Sequence, residues 1–93
     1  MANDNTIICL IEEGVYKHPI FYTNDGKHTL LEYCSIDNLD EKLNLYSEIY
    51  NTKNVYLEGS RDFLIGIREI ILQNNILKYG NNNLNIKITG DNQ

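Results

Sequence analysis

The chain has 93 residues, a net charge of −5 and 42% hydrophobic residues. That length allows one domain with a modest core. No run of about 18 apolar residues exists, which excludes a membrane-spanning helix. Eight basic residues without a cluster disfavour a nucleic-acid partner and fit a protein partner better.

Residues 1–5 are polar and expected to be loose. The opening MANDNTIICLI lacks the basic start and long apolar run of a signal peptide, so a cytoplasmic protein is expected. TIICLIEE, residues 6–13, is a short Ile-rich run that predicts a strand buried on both faces. Gly14 marks a break. HPIFYT, residues 18–23, predicts a second strand, with Pro19 near its start where a missing N–H is tolerated. Asn24-Asp25-Gly26-Lys27 is a strong hairpin signal, because Asp-Gly tolerates two positive-φ positions. HTLLEYCSI, residues 28–36, is the returning strand.

In DNLDEKLNLYSEIYNTK, Asp37 or Asn38 can cap a helix, with Asp40 or Glu41 completing the start. Leu39, Leu43, Tyr46 and Tyr50 then line one face of a helix over roughly 38–51. Val55-Tyr56-Leu57 is a short strand. Gly59 and Ser60 turn it into a second helix over about 60–78, with Ser60 as its cap. Phe63, Leu64, Ile65, Ile67, Ile70, Ile71, Leu72, Ile76 and Leu77 leave only a narrow polar stripe. This helix is expected to be central and buried on most sides. Gly80 and Asn81 to Asn83 stop it. LNIKIT, residues 84–89, predicts a half-exposed last strand, and residues 90–93 a loose tail.

The expectation is one α/β (α+β) domain with a five-stranded mixed sheet, order β-β-β-α-β-α-β, and two helices. The strand–helix–strand units require right-handed crossovers. This order resembles the ribonuclease H-like fold, which also underlies RuvC-type resolvases and the actin and sugar-kinase ATPases. A ferredoxin-like or other mixed sandwich is the alternative if the first strands pair differently. The resemblance implies carboxylates at the strand ends, and by position these are Glu12 or Glu13, then Glu58, then Asp91. In RuvC-like enzymes such acids hold two Mg²⁺ ions. The first strand here carries Glu-Glu near its end where that family has Asp. LEGSRDFLIGI is also similar to the strand–Gly-Gly-Ser–helix adenosine motif of actin and Hsp70-like ATPases, with Glu58 where the first glycine would stand. The plainer reading is that Gly59 bends the chain and Ser60 caps.

His18 and His28 flank the hairpin and are expected to be exposed, facing each other across it. Cys9 and Cys34 read as buried thiols, and with the two histidines they match no zinc spacing. No metal or cofactor is expected. Seven tyrosines without tryptophan weigh most. Tyr16, Tyr22 and Tyr33 on the first strands are the candidate binding residues, since tyrosine is enriched at interfaces. The preferred reading is a small, non-catalytic protein-binding protein, of the kind phages or plasmids use to inhibit a host or defence protein. The alternatives are a minimal ribonuclease H-like nuclease using Glu12, Glu58 and Asp91, and a self-associating subunit such as a homodimer.

Overall fold

The computed structural model describes residues 4–91. The strands are β1 (Thr6–Leu10), β2 (His18–Asn24), β3 (Lys27–Cys34), β4 (Asn54–Glu58) and β5 (Asn85–Ile88); the helices are α1 (Leu39–Ile49) and α2 (Arg61–Tyr79). The strands form one mixed sheet in the order β3-β2-β1-β4-β5. β1 pairs antiparallel with β2 and parallel with β4, and β4 pairs parallel with β5. The predicted five-stranded mixed sheet with two helices is therefore present.

Local chemistry explains the elements. Asp25 (φ 56°) and Gly26 (φ 74°) supply the two positive-φ positions of the hairpin turn. A short 3₁₀ turn, Ile36–Asn38, leads into α1, and neither Asn38 nor Ser60 caps its helix through a side-chain hydrogen bond. The expected side-chain caps are thus corrected. Ser60 instead gives its carbonyl to the Leu64 N–H at 2.9 Å. Gly80 ends α2 in the left-handed region, and its N–H donates to Ile76 O at 3.1 Å.

Sheet and helices share one core. Ile7, Cys9, Ile20, Val55, Leu57, Ile86 and Ile88 point to the side that meets Leu39, Leu43, Leu64, Ile67 and Ile71. Both crossovers advance the chain in the same direction along the sheet, from β3 to β4 and from β4 to β5. Right-handedness then puts α1 and α2 on the same face.

Two expectations change. α2 buries only Leu64, Ile67, Ile71 and Asn75, a stripe at spacings of three, four and four. Ile65, Ile70, Ile76 and Leu77 are exposed. The helix lies on the sheet and against α1, with no further layer above it among the described residues, so it is not central. Asn5 and Asp91, two residues of the segments expected to be loose, are also held by side-chain contacts. The Asn5 side-chain oxygen accepts from the Tyr22 hydroxyl at 2.6 Å, and its carbonyl accepts from the Thr52 hydroxyl at 2.6 Å. Asp91 is held by Arg61 at 2.8 Å and Arg68 at 3.0 Å. Residues 1–3 and 92–93 of the expected loose ends lie outside the described residues.

Candidate functional site

With both helices on one side, the other face of the sheet has no helical cover among the described residues. Strand alternation places Ile8 and Leu10, Pro19 and Phe21, and Tyr56 and Glu58 there. The register joins them into rows. Ile8 lies opposite Phe21 on one side and Tyr56 on the other. Phe21 continues to Leu30, and Tyr56 to Lys87. One row higher, Leu10 pairs with Glu58, and Pro19 with Tyr33.

An irregularity in β3 shapes this face. The register shifts between Ile20 and Phe21, so Ile20 faces Glu32 while Phe21 faces Leu30. Leu31 is the extra residue. Leu30 and Tyr33, three apart in sequence, consequently share the open face. Leu30 is 46% exposed, Tyr33 56% and Leu10 38%. Ile8 stays buried because the larger Phe21 and Tyr56 flank it in register.

The three tyrosines singled out by sequence separate. Tyr33 lies on the open face. Tyr16 is in the β1–β2 connection and is 77% exposed. Tyr22 belongs to the opposite side, where its ring stacks on Tyr50 with centroids 4.1 Å apart. It is a packing residue and not a surface anchor. Tyr46, also on the helix side, donates to Glu32 at 2.7 Å, and burial followed by that bond pushes its hydroxyl up to about 12.

Beside the open face, at the carboxyl ends of β1 and β4, is a cleft of about 400 Å³ whose walls include Leu10, Glu12, Lys17, His18, Pro19 and Glu58. Open α/β sheets commonly bind ligands at this end. The two glutamates of the expected acidic triad line this cleft. Asp91 does not join them as a free ligand. It is neutralised by two arginines and accepts the Ile88 N–H at 3.0 Å, and the Arg61 bond heads the causes that hold its carboxyl down at about 2. Among the described residues no group of three His, Cys, Asp or Glu side chains is placed to hold a metal ion.

His18 departs from expectation. It is fully buried and pairs in register with Cys34, while His28 lies opposite Thr23 and bonds its hydroxyl at 2.7 Å. The two histidines therefore do not face each other. The His18 Nδ1 accepts the Glu12 N–H at 3.4 Å, which makes Nε2 the protonated nitrogen of the neutral ring. Nε2 has no partner among the described residues. Burial lowers the His18 pKa, against the opposing effect of Glu12. Burial likewise raises the Cys9 thiol, and brings Cys34 to about 11. Both thiols are thus held protonated, the reverse of an activated nucleophile.

At the opposite end of the sheet lies a wider hollow of about 810 Å³, lined largely by asparagines. Part of its polar surface is self-satisfied, with Asn81 donating to Asn44 at 2.9 Å.

Compared with known proteins, the chain matches no family model, no curated protein and no solved structure. Sequence reasoning pointed to the hairpin, with Phe21, Leu30 and Tyr33, but missed Ile8, Leu10 and Tyr56 as part of the same surface. The alternation at 8 and 10, 19 and 21, and 56 and 58 carries that signal once both helices are assigned to one side. No helix among the described residues is long and apolar enough to cross a membrane.

Proposed function

We propose that this chain is a small, non-catalytic protein-binding protein of ribonuclease H-like topology, of the inhibitor type that phages and plasmids direct at host or defence proteins. The strand order β3-β2-β1-β4-β5, with β2 alone running against both its neighbours β1 and β3, supports the topological part. The binding part rests on one observation: the open face presents Leu10, Phe21, Leu30, Tyr33 and Tyr56 with no intramolecular cover among the described residues. Exposed apolar patches above a few hundred Å² in water-soluble proteins usually mark contact sites. Aromatic anchors such as Tyr33 carry much of the energy in such contacts.

A photo-crosslinking side chain tests this reading when placed at Leu30 on the open face and, as control, at Gln73 on the solvent side of α2. The expected result is a discrete adduct from position 30, lost with Tyr33→Lys, and none from position 73. Equal yields from both positions, insensitive to Tyr33→Lys, would sink the reading.

A further inference from the structure

The asparagine-lined hollow lies where three strands begin and both helices end. Asn5, Lys53 and Leu84, the residues just before β1, β4 and β5, line it together with Glu48 in the last turn of α1 and Gly80 after α2. Each helix is followed there by a left-handed residue, Asn51 (φ 51°) and Gly80 (φ 63°). Part of the wall is braced. The Asn81 side chain donates to Asn44 at 2.9 Å and accepts the Asn83 N–H at 3.0 Å, and the Asn81 N–H donates to the carbonyl of fully buried Asn75 at 2.9 Å. The side chains of Asn51, Asn54 and Asn83, by contrast, have no hydrogen-bond partner among the described residues.

This wall sorts ligands by chemistry. Helix carboxyl ends carry partial negative charge, so two of them meeting here disfavour phosphates and carboxylates. Glu48 and Lys53 are the only charged side chains among the lining residues, one of each sign, so neither an anion nor an organic cation gains net attraction. A metal ion of the Mg²⁺ or Ca²⁺ kind needs about six oxygens closing around it. One carboxylate beside a lysine, in an open hollow of about 810 Å³, is no such cage. Leu84 is the only aliphatic side chain on the wall and is 8% exposed, which gives an apolar ligand little to bury against.

We infer that the hollow binds an uncharged, hydroxyl-rich ligand: a saccharide of one or two rings, free or at the end of a glycan. A primary amide presents two donors and an acceptor side by side, and each sugar hydroxyl takes bonds of both kinds. Asn51, Asn54 and Asn83 hold that capacity uncommitted. Tyr79, the last residue of α2, lines the same hollow and is 40% exposed. Its ring supplies a face for the C–H side of a sugar ring. The volume falls within the range of about 300–1,000 Å³ common to small-molecule sites. The site is separate from the open face and does not rest on the binding role proposed there. Each hydrogen bond formed replaces one to water, so the affinity is weak, with a Kd of about 0.1–10 mM.

Nitrogen–proton correlation spectra of the isotope-labelled full chain test this, because they show asparagine side-chain amides directly. The probes are glucose, galactose, mannose, N-acetylglucosamine, maltose, cellobiose and lactose at up to about 50 mM, with inorganic phosphate and spermidine as charged controls. At least one saccharide is expected to give saturable shifts at the Asn51, Asn54 and Asn83 amides, with signals of the open face unmoved. Tyr79→Ala should weaken that binding by about fivefold or more, and Tyr79→Phe by about twofold or less. Asn54→Ala, at the exposed start of β4, should weaken it by about threefold or more. The spectrum of each variant also verifies its fold. The methyl glycoside of the bound sugar separates the two sources: equal binding supports a glycan end, and loss of binding supports a free reducing sugar. No saturable shift from any saccharide overturns the site. Shifts indifferent to Tyr79→Ala and Asn54→Ala, or shifts at these amides from phosphate or spermidine alone, overturn it equally.

Discussion

Tyr22 and Tyr50 stack with their rings inclined by only 15°, joining β2 to the residue that ends α1. The contact ties the antiparallel half of the sheet to the helix layer. Asn5 extends it, receiving the Tyr22 hydroxyl from one side and the Thr52 hydroxyl from the other. Tyr22→Ala should cost about 2–4 kcal/mol through the lost ring and cavity. Tyr22→Phe should cost only about 1 kcal/mol, the net value of one hydrogen bond. Urea denaturation separates the two. Equal small losses would mean that the stack contributes little.

Gly59 turns β4 into α2 at a point where the backbone touches Ile11. A Cβ at Gly59 would overlap the Ile11 carbonyl oxygen, which is backbone and cannot swing aside. The Ile11 N–H is itself bonded to Glu58 O at 2.8 Å, so β1 and β4 are locked together there. Gly59→Ala should destabilise by about 1–3 kcal/mol or more. Gly66, on the exposed side of α2, has nothing within 4 Å of its added methyl. Gly66→Ala should stabilise by about 0.5–1 kcal/mol. Thermal melts of the pair test this, and a Gly59→Ala protein as stable as its parent would refute the close approach.

Two groups give acid sensitivity in different windows. His18 has a folded pKa below the ordinary 6.5, so the unfolded chain takes up its proton first. Its contribution is complete above about pH 6.5 and is lost as pH falls toward the folded value. Protonation also puts a proton on Nδ1, which then cannot accept the Glu12 N–H. Asp91 acts lower, with its stabilisation present above its ordinary 3.8 and lost as pH falls toward about 2. The urea midpoint should therefore drop between pH 7.5 and pH 5, and His18→Gln should flatten that slope. Asp91→Asn should lower the midpoint throughout the range above about pH 4 and remove the steeper fall below it. A slope unchanged in His18→Gln would assign the effect elsewhere.

Much of this fold is legible in the residues. The Asp25-Gly26 turn, the Gly80 stop and the apolar runs locate every element, and chirality fixes the crossovers. The failures share a physical origin, since each depends on what lies across a tertiary contact. Strand patterns at 18–23 do not say that the Cys34 pairing and the 11–17 connection bury His18. A single extra residue, Leu31, moves Leu30 onto the face of Tyr33, and no composition rule places that bulge. Asp91 looks like tail because Arg61 and Arg68 are about 30 and 23 positions away in sequence. The candidate surface was half legible: Tyr33 and the hairpin were expected, whereas Tyr22 turned to the core.

The acidic cleft also permits a test of the nuclease alternative. Glu12 and Glu58 line it, but Asp91 is committed to two guanidinium groups. With Mg²⁺ or Mn²⁺, no hydrolysis of single-stranded, duplex or branched nucleic acid is expected. Asp91→Asn should lower the melting temperature, because it removes the anchor of β5 to α2. A metal-dependent cleavage abolished by Glu58→Gln would promote the enzyme reading over the binding one.

The last prediction concerns how α2 distributes its apolar side chains. Ile67 and Ile71 face the sheet and are 7% and 2% exposed, while Ile70 and Leu77 are 56% and 79% exposed. All four have similar transfer energies from water, so differences among their alanine variants report burial and little else. Ile67→Ala and Ile71→Ala each remove atoms from a packed site and leave a cavity, for a cost of about 2–5 kcal/mol. Ile70→Ala and Leu77→Ala expose almost no new surface and should stay within about 0.5 kcal/mol, helped by the better helix propensity of alanine. Amide exchange should follow the same division, with the helix turns carrying Leu64, Ile67 and Ile71 the slowest and the turn after Asn75 faster. A helix covered on all sides gives four comparable losses, and that outcome would require a further layer over α2. A split by exposure leaves its outer side bare and the sheet as the element that holds it.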